Sequence, residues 1–224
     1  VRIQEAKVTE QRTDEWKQLD ARGLEYHDIQ WKAPKESTKA FSRFVAVPCS
    51  NSSQVTDIAC GGGAVTAFLA ERHPECRFVG IDLSADLVRM ANGLAKQQGF
   101  ENLSFRVDDW LNLSSNVPTG GGVISTQTLS WLPEMRRPLE SIFKRIQPDW
   151  IAISSLFYEG DISCTVDVLE HQRGRKSFYN CYSIPEVGRI ADANGYSLIT
   201  FEAFEIGIDL QRNQDLNLMG TRTV

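Results

Sequence analysis

The chain has 224 residues, 42% of them hydrophobic and 24% charged, with a formal net charge of -5. That size and balance suit one globular core, and the negative charge argues against a broad nucleic-acid-binding face, whose affinity rests on neutralised phosphates. No apolar run approaches the roughly 20 residues that cross a bilayer, and the N-terminal stretch lacks the features of a secretion signal, so a cytoplasmic protein with no membrane and no nucleic-acid partner is expected.

The first fifty residues stand outside any βα alternation. A short helix is expected around residues 13–22, then an irregular segment whose Tyr26, Trp31, Phe41 and Phe44 must pack on something; covering a ligand crevice is the expected use. From Val55 onward, short β-branched runs alternate with helical patterns, the signature of βαβ units on a parallel sheet. Strands are predicted at residues 55–59, 77–82, 103–107, 123–125 and 150–156, with a further one at 197–205. Helices fill the intervals. One spans residues 64–72, and the next is capped by Ser84, carries Leu87, Val88, Ala91, Leu94 and Ala95 at helical spacing and ends at Gly99. Two more are predicted at 137–146 and at 184–194, the last closed by Gly195. Gly120-Gly121-Gly122 reads as a flexible turn, residues 206–217 as a loop or hairpin, and Gly220 onward as the start of a strand.

The five cysteines (Cys49, Cys60, Cys76, Cys164 and Cys181) are odd in number and form no CxxC pair, so they read as reduced thiols. The two dense basic clusters, Arg136-Arg137 and Arg173-Gly174-Arg175-Lys176, read as solvated loops.

The chemistry gathers after the first strand, in Asp57-Ile58-Ala59-Cys60-Gly61-Gly62-Gly63, and at Asp82, which ends the second. A glycine-rich turn lets backbone approach a ligand closely, and the helix behind it offers unpaired N–H groups. A carboxylate one βα unit later suits a ribose diol. The dinucleotide pattern G-x-G-x-x-G is met at best as Ala59-x-Gly61-x-x-Ala64. Asp57-x-Ala59-x-Gly61-x-Gly63 instead resembles the D/E-x-G-x-G-x-G loop of class I S-adenosylmethionine methyltransferases, with Ala59 in place of the first glycine.

Three further stations of that family recur in order. Phe78-Val79-Gly80-Ile81-Asp82-Leu83-Ser84 resembles its second motif, Phe105-Arg106-Val107-Asp108-Asp109-Trp110 its third, and the stretch from Val123 to Pro133 its fourth. The resemblance implies an α/β, Rossmann-like methyltransferase fold: a mostly parallel seven-stranded sheet with helices on both faces and a final antiparallel strand. It also implies S-adenosyl-L-methionine as cofactor. On that reading Asp57 faces the ammonium, while Ala59, Cys60, Gly61 and Gly63 run along the methionine half. Asp82 binds the ribose hydroxyls beside Leu83, Asp109 and the Trp110 backbone N–H meet the adenine, and Thr126 and Gln127 border the methionyl end. Asp109 aligns better than Asp108, and one of the two is expected to be functional. Taken singly, Asp57 reads as a turn residue and Asp82 as a surface acid; their joint spacing favours the cofactor. Trp131 reads as core before cofactor contact, although the aromatic after the fourth strand commonly borders the active site in enzymes that look alike.

Residues 1–50 are expected to form a helical or irregular cap and residues 51–224 the methyltransferase domain, with an acceptor-side insertion at about 157–183. Methyl transfer from a sulfonium is an in-line displacement that needs alignment and exclusion of water. No metal is required, and no His/Asp/Glu cluster has metal-ligand spacing. Ser125-Thr126-Gln127-Thr128 is not the N/D-P-P-Y/F/W motif of nucleic-acid amino methyltransferases, so a small-molecule acceptor is expected, methylated at oxygen and sugar-like or another metabolite. The insertion, with Phe204-Glu205-Ile206-Gly207-Ile208-Asp209-Leu210, more loosely resembles small-molecule methyltransferases of surface-polysaccharide gene clusters. His171, whose imidazole titrates near neutrality, and Tyr179 are the candidate catalytic residues. His171 follows a helical-looking Val166-Asp167-Val168-Leu169-Glu170 and reads more readily as an exposed helix residue. The alternative function is a non-catalytic cofactor-binding or regulatory protein of the same fold. A nicotinamide oxidoreductase is disfavoured by Asp57 and the missing third glycine.

Overall fold

Five short apolar strands build the centre of the molecule. The computed structural model describes residues 21–171, 175–197, 199–204, 217–218 and 221–222. In chain order the sheet strands are β1 (Gln54–Ile58), β2 (Arg77–Asp82), β3 (Leu103–Val107), β4 (Gly122–Thr126) and β5 (Trp150–Ser154), and they pair in the order β3-β2-β1-β4-β5. Every pairing is parallel. Parallel strands are covered on both faces, which is why they read as nearly continuous apolar runs.

The alternation of side chains along each strand feeds two separate cores. Val55, Phe78, Phe105 and Ile124 join Phe41, Val45, Leu69, Val88 and Ala91 on one face, while Ile58, Ile81 and Val123 join Trp110, Leu139, Ile142 and Ile190 on the other. The first face is built by α1 (Ala21–Lys32), α2 (Glu36–Phe44), α3 (Ala46–Ser50), α4 (Ala64–Arg72) and α5 (Ala85–Gln97). The second is built by α6 (Arg136–Arg145) and α7 (Ile184–Ala193), with short 3-10 turns at Trp110–Asn112 and Leu129–Trp131. Ser84 and Ser183 cap α5 and α7 by accepting from Leu87 and Glu186 N–H at 3.4 and 3.2 Å.

Four small strands, β6 (Phe157–Tyr158), β7 (Asp167–Glu170), β8 (Arg175–Phe178) and β9 (Tyr182–Ser183), form the segment between β5 and α7. β7 and β8 make an antiparallel hairpin, and β6 runs parallel to β9. A last antiparallel pair joins β10 (Asn217–Leu218) to β11 (Thr221–Arg222), consistent with the strand expected near Gly220.

The Rossmann-like architecture and the helix and strand positions from 54 to 154 are as expected, with ends shifted by one or two residues. Elsewhere the structure corrects the sequence reading. Among the described residues the central sheet has five strands, and residues 197 and 199–204 take no strand pairing, because alternating Ile199 and Phe201 meet no neighbouring strand there. The supposedly irregular stretch after residue 22 is three helices, held by the packing of α1 and α2 on α4. The helical look of Val166 to Glu170 gives way to strand pairing with β8. Arg136 and Arg137 open α6 rather than lying in a loop, and Arg136 approaches Glu140 one turn on, at 3.8 Å. Arg175 and Lys176 belong to β8, whereas Arg173 and Gly174 lie outside the described residues, as do 13–20 of the first expected helix and 206–216 of the later loop. No helix among the described residues is long and apolar enough to cross a membrane.

Candidate functional site

The strand order reverses between β1 and β4, and at such a switch point the loops leaving the strands diverge and open a crevice at their carboxyl ends. The glycine turn leaves β1 at this place. Ala59, Gly61 and Gly63 all take positive φ, at 58°, 57° and 81°. Gly63 caps α4, and a Cβ there would lie 2.4 Å from the Phe105 ring, so both rotation and space demand glycine. Ala59 has no such exemption, and it holds a left-handed conformation that costs an L-residue about 1–2 kcal/mol.

Two buried acids flank the turn. Asp57 accepts from the Thr66 hydroxyl at 2.6 Å through Oδ2, whereas its buried Oδ1 has no hydrogen-bond partner. Burial pushes its carboxyl up to about 7; the Thr66 bond opposes that rise and the Asp82 charge adds to it. Asp82 accepts from Gly61 N–H at 2.8 Å and from Ser84 N–H at 2.9 Å, which ties the end of β2 to the turn. Burial raises its carboxyl as well, and these N–H bonds pull the other way. The Cys60 thiol is pushed far above its usual range, first by burial and then by the two acids, so it stays protonated.

The pair of acids after β3 divides its labour. Asp108 is spent on its own loop: it accepts from the N–H of Asp109 and Ser114 at 2.9 and 3.0 Å and from the Ser114 hydroxyl at 2.6 Å. Asp109 caps the following 3-10 turn through Leu111 N–H at 2.9 Å. Trp110 buries its ring and donates to Pro138 O at 2.9 Å. At the end of β4, Gln127 takes φ 64° and donates its N–H to Ser154 O at 2.7 Å, and the Thr128 hydroxyl reaches Ala59 O at 3.4 Å. Ser125 is fully buried with an unpartnered hydroxyl.

One cavity of about 850 Å³ joins these parts. Ala59, Cys60, Gly61, Asp82, Leu83, Asp109, Trp110, Thr126 and Gln127 all line it. Neither Asp57 nor Gly63 does: the first lies under the turn and the second begins α4. Trp131, expected in the core, is 36% exposed and lines the cavity, with its ring edge-to-face on Tyr179 at 5.6 Å. Tyr179 is itself absent from the lining and half exposed, at 51%. His171 sits exposed at the turn between β7 and β8 and does not line the cavity either.

A family profile described as "Methyltransferase domain" matches residues 50–200. The chain belongs to the class I S-adenosylmethionine-dependent methyltransferase family. Among curated relatives it is 29% identical over 118 residues to a trans-aconitate 2-methyltransferase of Azoarcus sp. (strain BH72), covering 52% of this chain and 44% of that one. It is 23% identical over 133 residues to a malonyl-[acyl-carrier protein] O-methyltransferase of Bacillus anthracis, covering 59% and 47%. The chain thus spans less than half the length of the curated relatives it matches. A solved S-adenosylmethionine-dependent methyltransferase from Aquifex aeolicus shares the fold, at 17% identity and TM-score 0.54 over 80% of this chain and 89% of that one.

The residues of this methyltransferase chain fit the family's cofactor. A buried acceptor without a donor, Asp57 Oδ1, is costly until a cationic or N–H group meets it. The turn beside it lines the cavity through Ala59, Cys60 and Gly61, with the His27 ring so close over Gly61 that a Cβ there would lie 2.9 Å from it.

Sequence reasoning missed the contribution of α1 and α2 to that turn. His27 accepts from Gly62 N–H at 3.3 Å through Nδ1, Trp31 donates to Gly62 O, and Gln30, Lys35 and Thr38 line the cavity. Burial, and then the charge of Lys35, lowers the His27 pKa, which keeps Nδ1 an acceptor. The aromatics of this stretch were the only signal that it packs on something. Tyr26 and Phe41 do line the cavity, and Trp31 packs on Phe100 and Phe105.

Proposed function

We propose that this chain transfers a methyl group from S-adenosylmethionine to an oxygen of a small, anionic or sugar-like acceptor. The observation that carries this reading is the cavity of about 850 Å³, toward the upper end of the roughly 300–1,000 Å³ of small-molecule sites, which runs from the glycine turn to the β7–β8 hairpin. The activities for which the relatives are named support it, one of them being an O-methyltransferase.

When bound, S-adenosylmethionine supplies an electrophilic methyl carried on a sulfonium. Ala59, Cys60 and Gly61 would form the backbone floor, while Asp57, which lies under the turn, would reach the ammonium through water with its unpartnered Oδ1, and Gly63 would shape the turn from the start of α4. Asp82 would keep capacity for the ribose hydroxyls beside Leu83, because the two oxygens of a carboxylate offer about four lone pairs and three are met by the N–H groups of Ser84, Gly61 and Leu83. Asp109 and the Trp110 backbone take the adenine. Thr126 and Gln127, at the end of β4, face the reacting end. Residues 1–50 act as the cap, 51–224 as the methyltransferase domain and 157–183 as the acceptor wall.

On the acceptor side the wall carries Lys35 and Lys176, cations that suit a carboxylate. Tyr179 positions Trp131 by ring contact, and His171 has no catalytic part because it stands outside the cavity. Rate gain then comes from alignment and exclusion of water rather than from a strong base.

Calorimetry with S-adenosylhomocysteine and NAD, followed by turnover of methyl-labelled S-adenosylmethionine on a panel of small carboxylates and sugars, tests the proposal. The expected result is homocysteine-nucleoside binding without NAD binding, and label transferred to an acceptor oxygen. Binding with no turnover on any acceptor favours a cofactor-binding protein of the same fold, and tight NAD binding alone overturns both.

A further inference from the structure

The acceptor-side insertion closes at its base through a single antiparallel bridge, and both residues of that bridge are cysteines. Cys164 N–H donates to Cys181 O at 2.8 Å, and Cys181 N–H donates to Cys164 O at 2.9 Å. A pair that exchanges both bonds stands directly opposite, side chains on the same face, with Cα atoms about 5.5 Å apart. Disulfides span Cα separations of roughly 4.4–6.8 Å, so the pair lies within bonding reach.

Cys164 also differs from the other four cysteines in access. Cys164 is exposed and Cys181 half-buried, and both are free. Cys49 and Cys76 are buried in the core, and Cys60, half-buried like Cys181, belongs to the glycine turn beside Asp82; burial raises all three thiols, to about 12 and about 11 for Cys49 and Cys76. Thiolate chemistry needs an accessible, ionisable sulfur, so the bridge pair is where it is favoured.

We propose that Cys164 and Cys181 are a reversible disulfide site that locks the base of the insertion. The oxidant is a low-molecular-weight disulfide. The thiolate of one cysteine attacks it, forming a mixed disulfide and releasing one small thiolate; the second cysteine then attacks the mixed disulfide and releases the other. The two S–H protons leave with the two small thiols, and the oxidant is reduced as the protein is oxidised. The exposed sulfur and the hydrogen-bonded pair geometry, which keeps side chains farther apart than a non-hydrogen-bonded pair does, place the bond in the easily reduced class.

The loop between the cysteines carries β7 and β8, whose Val168, Lys176 and Ser177 line the cavity. A second tie at the same base, Ser183 N–H to the Ser163 hydroxyl at 3.0 Å, holds the register in which the sulfurs meet. Locking that base therefore restricts the acceptor wall, a consequence that rests on the acceptor reading given above.

The test treats the full chain with oxidised glutathione and follows intact mass, peptide mapping and turnover, with Cys164→Ser and Cys181→Ser alongside. The expected result is loss of two hydrogen atoms, a cross-linked peptide pair holding both cysteines, its reversal by reduced glutathione, and a stable glutathione adduct in each single variant. Independent glutathione adducts on both cysteines of the unaltered chain, or a cross-link to a different cysteine, overturn the site. Circular dichroism of each variant establishes that it is folded. A cross-link that leaves acceptor KM and S-adenosylhomocysteine affinity unchanged confirms the disulfide and overturns the acceptor-wall reading alone.

Discussion

Asp57 holds one carboxylate oxygen in a short hydrogen bond from Thr66 and leaves the other, equally buried, without a partner. Its carboxyl is raised by burial to about 7 from 3.8, so the folded chain binds this proton more tightly than the unfolded one. The contribution of this group to the stability of the ligand-free chain is then fullest below about pH 4 and falls as the pH rises toward 7, levelling off above it. Asp82, raised in the same direction, adds to the slope. We expect Asp57→Asn to reduce that slope in thermal scans and to weaken S-adenosylhomocysteine by about tenfold, the ~1.4 kcal/mol scale of one charge-assisted hydrogen bond. An Asp57→Asn variant that binds as tightly as the parent in calorimetry removes this acid from the ammonium contact. Two positions on from Asp57, the strain at Ala59 is open to a direct check. Ala59→Gly relieves a left-handed alanine but loosens the unfolded chain, and the balance is a gain of about 0.5–1 kcal/mol. A urea midpoint that rises with an unchanged slope shows it, and a midpoint that stays or falls contradicts it. The pattern of acid and small residues marked this turn in the sequence. That Ala59 bears a positive φ was not legible, because alanine does not advertise it.

The insertion between β5 and α7 is anchored by one buried amide. Asn180 Nδ2 donates to Leu132 O at 2.8 Å and to the Tyr182 hydroxyl at 2.9 Å, while its Oδ1 accepts from Val166 N–H at 2.9 Å. Its own N–H donates to Ser130 O at 2.8 Å, so the insertion is stitched to the loop that carries Trp131. Asn180→Ala leaves Val166 N–H without that buried acceptor and is expected to cost about 2–3 kcal/mol. Thermal denaturation should show the loss, and kinetics should show a raised acceptor KM with S-adenosylhomocysteine affinity held. Equal losses in both ligands would point to global loosening instead. Helices α4 and α5 and strands β1 to β3 were legible because each is specified by its own residues: a cap, an apolar face, a short β-branched run. Strand β7 was not. Val166 to Glu170 satisfies a helical count as well as a strand count, and the choice falls to its neighbour β8, which takes up the backbone hydrogen bonds.

At the scale of the molecule, the sequence by itself determined a βα alternation, the place of the glycine turn and the acids at Asp57, Asp82 and Asp109. These depend on local rotations and short spacings, which a chain carries whatever its surroundings. The parallel order β3-β2-β1-β4-β5 turns them into a crevice by placing the ends of β1 and β4 side by side at the reversal. Only the tertiary structure decided which side chains border that crevice and hold its turn. His27 and Trp31 reach Gly62 across 35 and 31 positions of chain, and Lys35 and Lys176 come to one cavity wall from opposite ends of it. It also moved Trp131 from the expected core to the cavity, left His171 on an exposed turn, and set Cys164 opposite Cys181. Contacts between distant segments leave no period or motif in the sequence, because each depends on how whole elements pack and not on the residues beside it.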